Sequence, residues 1–197
     1  MIKYILNSGG VRNSADRGRK FFEEVFRGFG KNPRLLICNF AQPREDWEVR
    51  YADSVQYFED LFGDVAPVLT LAFPEKFESQ LKACDAVYLH GGDDYLVQYW
   101  LKQFDLRKIF EGKAVATNSA SSNALAQSFW TCDWRKFMDG LGILPIKFIS
   151  HYKSAYGETD PRGPIDWENA KIELENFGDK SLPICALEEG EFVVFEV

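Results

Sequence analysis

Histidine is the scarcest chemistry-bearing residue in this 197-residue chain: only His90 and His151 occur. A metal centre built on clustered imidazoles is thereby excluded. Cysteine is nearly as sparse. Cys38, Cys84, Cys132 and Cys185 are far apart and form no Cys-x-x-Cys spacing, which argues against both a disulfide framework and a zinc site. Cys38 and Cys185 sit in apolar runs (LLICNF, LPICAL), where a free thiol packs as a small hydrophobe. No apolar run approaches the roughly 20 residues of a membrane helix. The opening MIKYILNSGG has one Lys and too short an apolar run for a signal peptide. Cations are outnumbered, 23 Lys and Arg against 30 Asp and Glu, for a net charge of −7. That leaves no basic face for nucleic acid or an anionic membrane. Repeats, low-complexity tracts and linkers are missing too. The expectation is a soluble, cytoplasmic protein folded as one domain over residues 1–197.

What is present is alternation. Strand-like runs occur at 2–6 (IKYIL), 34–40 (RLLICNF), 65–71 (VAPVLTL), 86–92 (AVYLHGG), 114–119 (AVATNS), 146–150 (IKFIS) and 192–197 (FVVFEV). Amphipathic helical patterns lie between them at 16–29, 48–62, 94–104 and 166–177. In the second, Tyr51, Val55, Phe58, Leu61 and Phe62 recur at helical spacing and read as core. Strands alternating with helices of this length predict a doubly wound α/β domain, its sheet mainly parallel and covered by helices on both faces.

In such a sheet ligands bind beyond the carboxyl ends of the strands. Two places qualify: Gly91–Gly92 after AVYLH, and Asn118–Ser119–Ala120 after AVAT. Both are strand-to-helix turns offering backbone N–H groups to negative charge. A double glycine after a strand most often means only a tight turn. The run NSASSNALA is more informative, because a serine on a sharp strand–turn–helix elbow needs small neighbours if its Oγ is to project. A Ser-rich helix cap competes with this reading.

A serine nucleophile needs a base, and the base an orienting acid. His151 follows the strand-like IKFIS, which places it at the same edge of the sheet as Ser119; an ordinary loop histidine is the competing reading. His90, within a strand beside the double glycine, reads as packed against the core. Asp133 lies between Ser119 and His151 and gives the order Ser…Asp…His, though a solvated loop acid or helix cap (CDWRKFM) explains it equally. Asp139, Glu188 and Glu189 are substitutes for that place.

These residues together resemble the peptidase E family, the aspartyl dipeptidases, which are serine peptidases on the class I glutamine amidotransferase-like fold. GGDDYLVQYW is similar to the family's GGN-type segment. Ser119–Ala120 with Asn123 four residues after the serine resembles its S-A-G-A-N elbow. Thr131 and Asp133 follow at nearly the family spacing, and ISHYKS and LEEGEFVVFEV resemble its later segments. The resemblance implies Ser119 as nucleophile, His151 as general base and acid, and Asp133 holding the imidazole. It further implies an oxyanion hole of the Gly92 and Ala120 amides, Arg162 reading a substrate aspartate, a short peptide as substrate, and no metal or other cofactor.

The chain departs from that pattern at four places. Ser121 and Ser122 replace a glycine and an alanine of the elbow, and a Cβ at 121 crowds it. His90 replaces a small residue. Asp93 stands in for Asn, which would put a carboxylate beside the oxyanion site and against an acidic substrate. Ser121 and Asp93 also leave room for a non-catalytic relative, a small-ligand-binding or regulatory domain. A glutamine amidotransferase would need Cys at the elbow, and the nearest downstream thiol is Cys132. A small-ester hydrolase is compatible with the same triad.

Overall fold

A computed structural model describes residues 1–197. The seven strand-like runs become β1 (Lys3–Asn7), β2 (Arg34–Cys38), β3 (Val68–Leu71), β4 (Ala86–Leu89), β5 (Ala114–Asn118), β8 (Leu144–Ile149) and β10 (Phe192–Glu196). Six of them form one sheet in the order β10-β1-β5-β4-β2-β3. All its pairings are parallel except β1 with β10.

The sheet is covered on both faces because its strands alternate between two apolar sets. Ile5, Leu35, Ile37, Tyr88, Ala114 and Ala116 face α1 (Arg19–Phe26) and α2 (Trp47–Phe62). Tyr4, Leu6, Leu36, Cys38, Val87, Leu89 and Val115 face the opposite way. On the first face Phe22 is the hub, with ring centroids 4.6 Å from Phe58, 4.9 Å from Phe21 and 5.1 Å from Tyr88, all edge-on. The small Ala114 and Ala116 let α1 close over β5. In α2, Phe58 and Leu61 are buried as the periodicity predicts, while Tyr51, Val55 and Phe62 are half-buried.

The second face corrects the expectation of a single sheet. Three strands absent from the sequence reading, β6 (Ala126–Thr131), β7 (Lys136–Asp139) and β9 (Ile184–Ala186), join β8 in a second, four-stranded sheet ordered β7-β6-β8-β9. It too is mainly parallel, only β6 and β7 running antiparallel. Phe129, Ile146 and Phe148 of this sheet share a core with α3 (Phe77–Ala83), α4 (Asp94–Leu101), α5 (Leu106–Ile109) and α6 (Ala120–Leu125). α7 (Trp167–Asn176) covers its outer side through Ala170 and Leu174 against Trp130 and Ile149. α6 is only six residues long and passes directly into β6, so ASSNALAQSFWT carries no turn punctuation to announce a strand. No helix is long and apolar enough to cross a membrane.

Candidate active site

β5 ends at Asn118 in the middle of the six-stranded sheet, and α6 begins at Ala120. The single residue between them, Ser119, takes φ 49° and ψ −114°. A non-glycine residue adopts that backbone at a cost of about 1–3 kcal/mol, tolerated where the surroundings impose it. The conformation projects Oγ away from the helix: Ser119 makes no side-chain cap bond to α6. Its Oγ lies 2.9 Å from His151 Nε2, so the helix-cap reading does not describe this serine.

The small residues around the elbow each have a task. Ser121 and Ser122 are fully buried. The Ser121 hydroxyl donates to the His90 carbonyl at 2.6 Å, and the Ser122 hydroxyl donates to the Asn7 carbonyl at 2.7 Å. The first few residues of α6 are thus tied to the ends of β4 and β1. Ser121 does not crowd the turn, because its Cβ and hydroxyl fill the space beside the β4 end. Gly91 is needed here: a Cβ would approach Ser119 Cβ to 3.1 Å and the Asn118 carbonyl to 2.9 Å. At Gly92, with φ 147°, a side chain would run into the Ala41 carbonyl. The Gly92 and Ala120 amides donate to no loop or turn acceptor, and both residues line the cleft that holds Ser119 and His151.

His151 follows β8 by two residues at φ 56°. Its Nδ1 meets Glu189 Oε1 at 2.7 Å. A carboxylate there can only accept, so Nδ1 carries the proton and Nε2 is left free to accept from the Ser119 hydroxyl. The histidine backbone is pinned from β1: His151 N–H donates to Ser8 Oγ at 2.7 Å, and Ser8 Oγ donates to the Leu187 carbonyl at 2.6 Å. Leu187 also accepts from Tyr152 N–H at 2.9 Å, and Gly190 N–H donates to the Gly9 carbonyl at 2.8 Å. Gly9 and Gly10, at φ 140° and 64°, form the wall behind the pair. A Cβ on Gly9 would clash with the imidazole of His151, nearest its Cε1, and one on Gly10 would sit 2.9 Å from Glu189 Oε2. Tyr156 stacks on the exposed side of His151, centroids 4.2 Å apart and planes at 26°.

Three expected positions are corrected. Asp133 does not reach His151; it sits in the tight turn from β6 to β7, where its Oδ1 accepts from the Tyr156 hydroxyl at 2.7 Å. Glu189, one of its substitutes, holds the imidazole. Asp93 does not face the oxyanion site either. It is the N-cap of α4, Oδ1 accepting from the Tyr95 and Leu96 amides at 2.8 Å each. Arg162 has its guanidinium clasped by Asp160, Nε to Oδ1 at 2.8 Å and a terminal nitrogen to Oδ2 at 2.5 Å, with a further bond to the Asp133 carbonyl. Its fork is therefore engaged, and it draws the Asp160 carboxyl well below the usual range. Asp139 and Glu188 make no side-chain contact with His151; Glu189 alone occupies Nδ1.

The sequence reading missed Asp94. It is 2% exposed and lines the same cleft as Ser119. Asn123 Nδ2 and Thr131 Oγ1 donate to it at 3.0 and 2.6 Å. Burial nevertheless pushes its carboxyl up to about 6, the two hydrogen bonds opposing and the charges of Asp133 and Asp93 adding to the rise. Also missed were Ser8, Gly9 and Gly10, although NSGG closes a strand just as HGG does and the same strand-end rule points to it. Nowhere do three His, Cys, Asp or Glu side chains converge as metal ligands.

No protein-family model matches the chain, and no curated protein matches it in sequence. Solved structures do match. The crystal structure of a peptidase from an acI-B1 Actinobacterium superposes with a TM-score of 0.68 at 19% identity, over 99% of this chain and 84% of that one. That of a Listeria monocytogenes EGD-e protein named "Putative Peptidase E Protein" gives 0.67 at 13% identity, over 100% of this chain and 99% of that one. The chain thus has the fold of these peptidase structures, a mixed α/β architecture with mainly parallel sheets.

Proposed function

We propose that the protein is a serine peptidase that hydrolyses short peptides through Ser119, His151 and Glu189. One observation carries the reading: a strained serine at a strand–helix elbow bonded to a histidine whose other nitrogen is bonded to a carboxylate. His151 Nε2 takes the hydroxyl proton as Ser119 Oγ adds to the scissile carbonyl. The oxyanion is met by the Gly92 and Ala120 amides, Ala120 standing at the positive end of α6. His151 then gives the proton to the leaving amine, the C–N bond breaks and an acyl-enzyme remains. A water activated by the same nitrogen releases the acid. Glu189 stabilises the imidazolium in both half-reactions. The peptidase names of the two structural neighbours accord with this reading. The buried thiol of Cys132, pushed up by desolvation and lying off the elbow, gives no support to a glutaminase.

The test is a dipeptide panel (Asp-X, Asn-X, Gly-X, Ala-X) with released amine as the readout. Wild type is expected to turn over at least one member, and Ser119→Ala to lose at least about 10³-fold in kcat. Equal rates in the two proteins, or no turnover of any member, would remove the peptidase reading. An acyl-ester panel run in parallel separates a peptidase from an esterase.

A further inference from the structure

The cleft that holds Ser119 and His151 is also lined by two carboxylates, Asp94 and Asp133, and by no Lys or Arg. Neither acid forms an ion pair within the chain. For the exposed Asp133 that is ordinary. For Asp94, 2% exposed, it is not, because a buried charge is normally paired. Asn123 and Thr131 donate to it, filling two of the roughly four acceptor positions that a carboxylate offers. Asn123 is itself 2% exposed and lines the same cleft, and its Oδ1 is buried with no donor. Two adjoining buried side chains thus present acceptors for which the chain supplies neither donor nor cation.

Nothing else in the lining makes up that deficit. The Nδ1 proton of His151 is taken by Glu189. Burial pushes the Cys132 thiol up, and burial with the Asp133 hydrogen bond pushes up the Tyr156 hydroxyl, so both stay neutral. The space enclosed by the lining is about 10 Å³, room for one group of about the size of a water molecule. A primary ammonium has that size, carries the missing charge and brings three N–H donors. A ring or a guanidinium is too large. A group sharing so small a space with Ser119 belongs to the substrate residue whose carbonyl the serine attacks.

We propose that Asp94 and Asn123 form an ammonium subsite, in which the Asp94 carboxylate and Asn123 Oδ1 accept from a primary amine of the substrate's first residue. The amine is the α-amino group or the end of a lysine side chain. The same cleft carboxylates repel a substrate carboxylate, so the peptides taken are those that open with a neutral or basic residue and not with an acidic one. The inference deepens the peptidase reading and rests on it for the place of the amine relative to the scissile bond.

The test is calorimetric titration of the Ser119→Ala protein with Ala-Ala, N-acetyl-Ala-Ala, N-acetyl-Lys-Ala and Asp-Ala, repeated with Asp94→Asn added. A peptide bearing the amine is expected to bind about 10- to 100-fold more tightly than N-acetyl-Ala-Ala, the range for one charged hydrogen bond. Asp94→Asn is expected to bring that ratio to within a few-fold. Tight Ala-Ala with weak N-acetyl-Lys-Ala identifies the α-amine as the group read, and tight N-acetyl-Lys-Ala identifies the lysine side chain. Asp-Ala is expected to bind more weakly than Ala-Ala. Ala-Ala and N-acetyl-Lys-Ala both binding no better than N-acetyl-Ala-Ala overturns the inference, and so does a preference that survives Asp94→Asn or Asp-Ala as the tightest ligand. The comparison of free with blocked peptides needs no change at Asp94, so a misfolded variant cannot mask it. Hydrolysis by the Ser119-intact protein is scored separately. Amine-dependent binding without cleavage keeps the subsite and loses the peptidase reading. Cleavage of free and blocked peptides at equal kcat/KM does the reverse.

Discussion

Glu189 Oε1 stands 2.7 Å from His151 Nδ1, although 38 positions of chain separate them. The acid comes after the histidine in sequence, whereas Asp133, which comes before it, is spent on Tyr156. The order of triad members along a chain follows connectivity and not chemistry, so it is free to vary while the geometry stays fixed.

Glu189→Gln should therefore lower kcat by about 10²–10⁴, since an amide at that place no longer enforces the tautomer or balances the imidazolium. Asp133→Ala should stay within a few-fold of wild type. Steady-state rates on the best substrate of the panel check both, and the opposite ranking would return Asp133 to the triad.

Gly9→Ala should be far more damaging than a single methyl normally is. The new Cβ meets the imidazole ring, and φ 140° is a conformation that L side chains rarely adopt. The expected outcome is a loss of at least about 10² in kcat with destabilisation of about 1–3 kcal/mol. Rates and urea denaturation read the two separately. A fully active Gly9→Ala would mean that the histidine wall yields.

Asp94 makes stability depend on pH. Its folded-state carboxyl, near 6, lies above the ordinary 3.8, so the folded state holds this proton more tightly than the unfolded one. The group is therefore neutral and harmless below about pH 4, and its contribution becomes unfavourable as pH rises from about 4 to 6. Above that range the cost is constant, of order 3 kcal/mol. Asp94→Asn removes the dependence, and a rotated Asn123 can offer its unpartnered Oδ1 to the new amide. Urea denaturation between pH 4 and 7 should show the variant gaining on wild type through that window. Parallel curves would show that Asp94 titrates as an ordinary carboxylate.

Most of the first sheet was legible because its strands are buried on both faces and read as unbroken apolar runs between amphipathic helices. β6 was hidden behind α6, whose end has neither Gly nor Pro, and β9 is only three residues long. Ser119 and His151 do meet just beyond strand ends, but β8, which leads to His151, belongs to the second sheet and not to the sheet that carries Ser119. The acid was not legible, because Asp133, Glu188 and Glu189 are all loop carboxylates in the sequence. Only the meeting of the β1 end with the loop before β10, through Ser8, Gly9 and Gly190, selects one of them. Asp93 looked like a charge beside an oxyanion, yet a residue in that position can instead turn back to cap its own helix.

The pairing of β1 with β10 has a consequence for when activity can arise. It joins the start of the described chain to its last strand, Lys3 opposite Glu196, and the loop that carries Glu189 leads into that strand. A chain in which this pairing has not formed has Ser119 on its elbow but an imidazole with nothing to orient it. Such pairings between distant segments carry the largest loop-closure cost and form slowly. On the function proposed above, hydrolysis would be withheld from partly folded chains, whose own exposed segments would be the nearest substrate, and would switch on with the closure of the sheet.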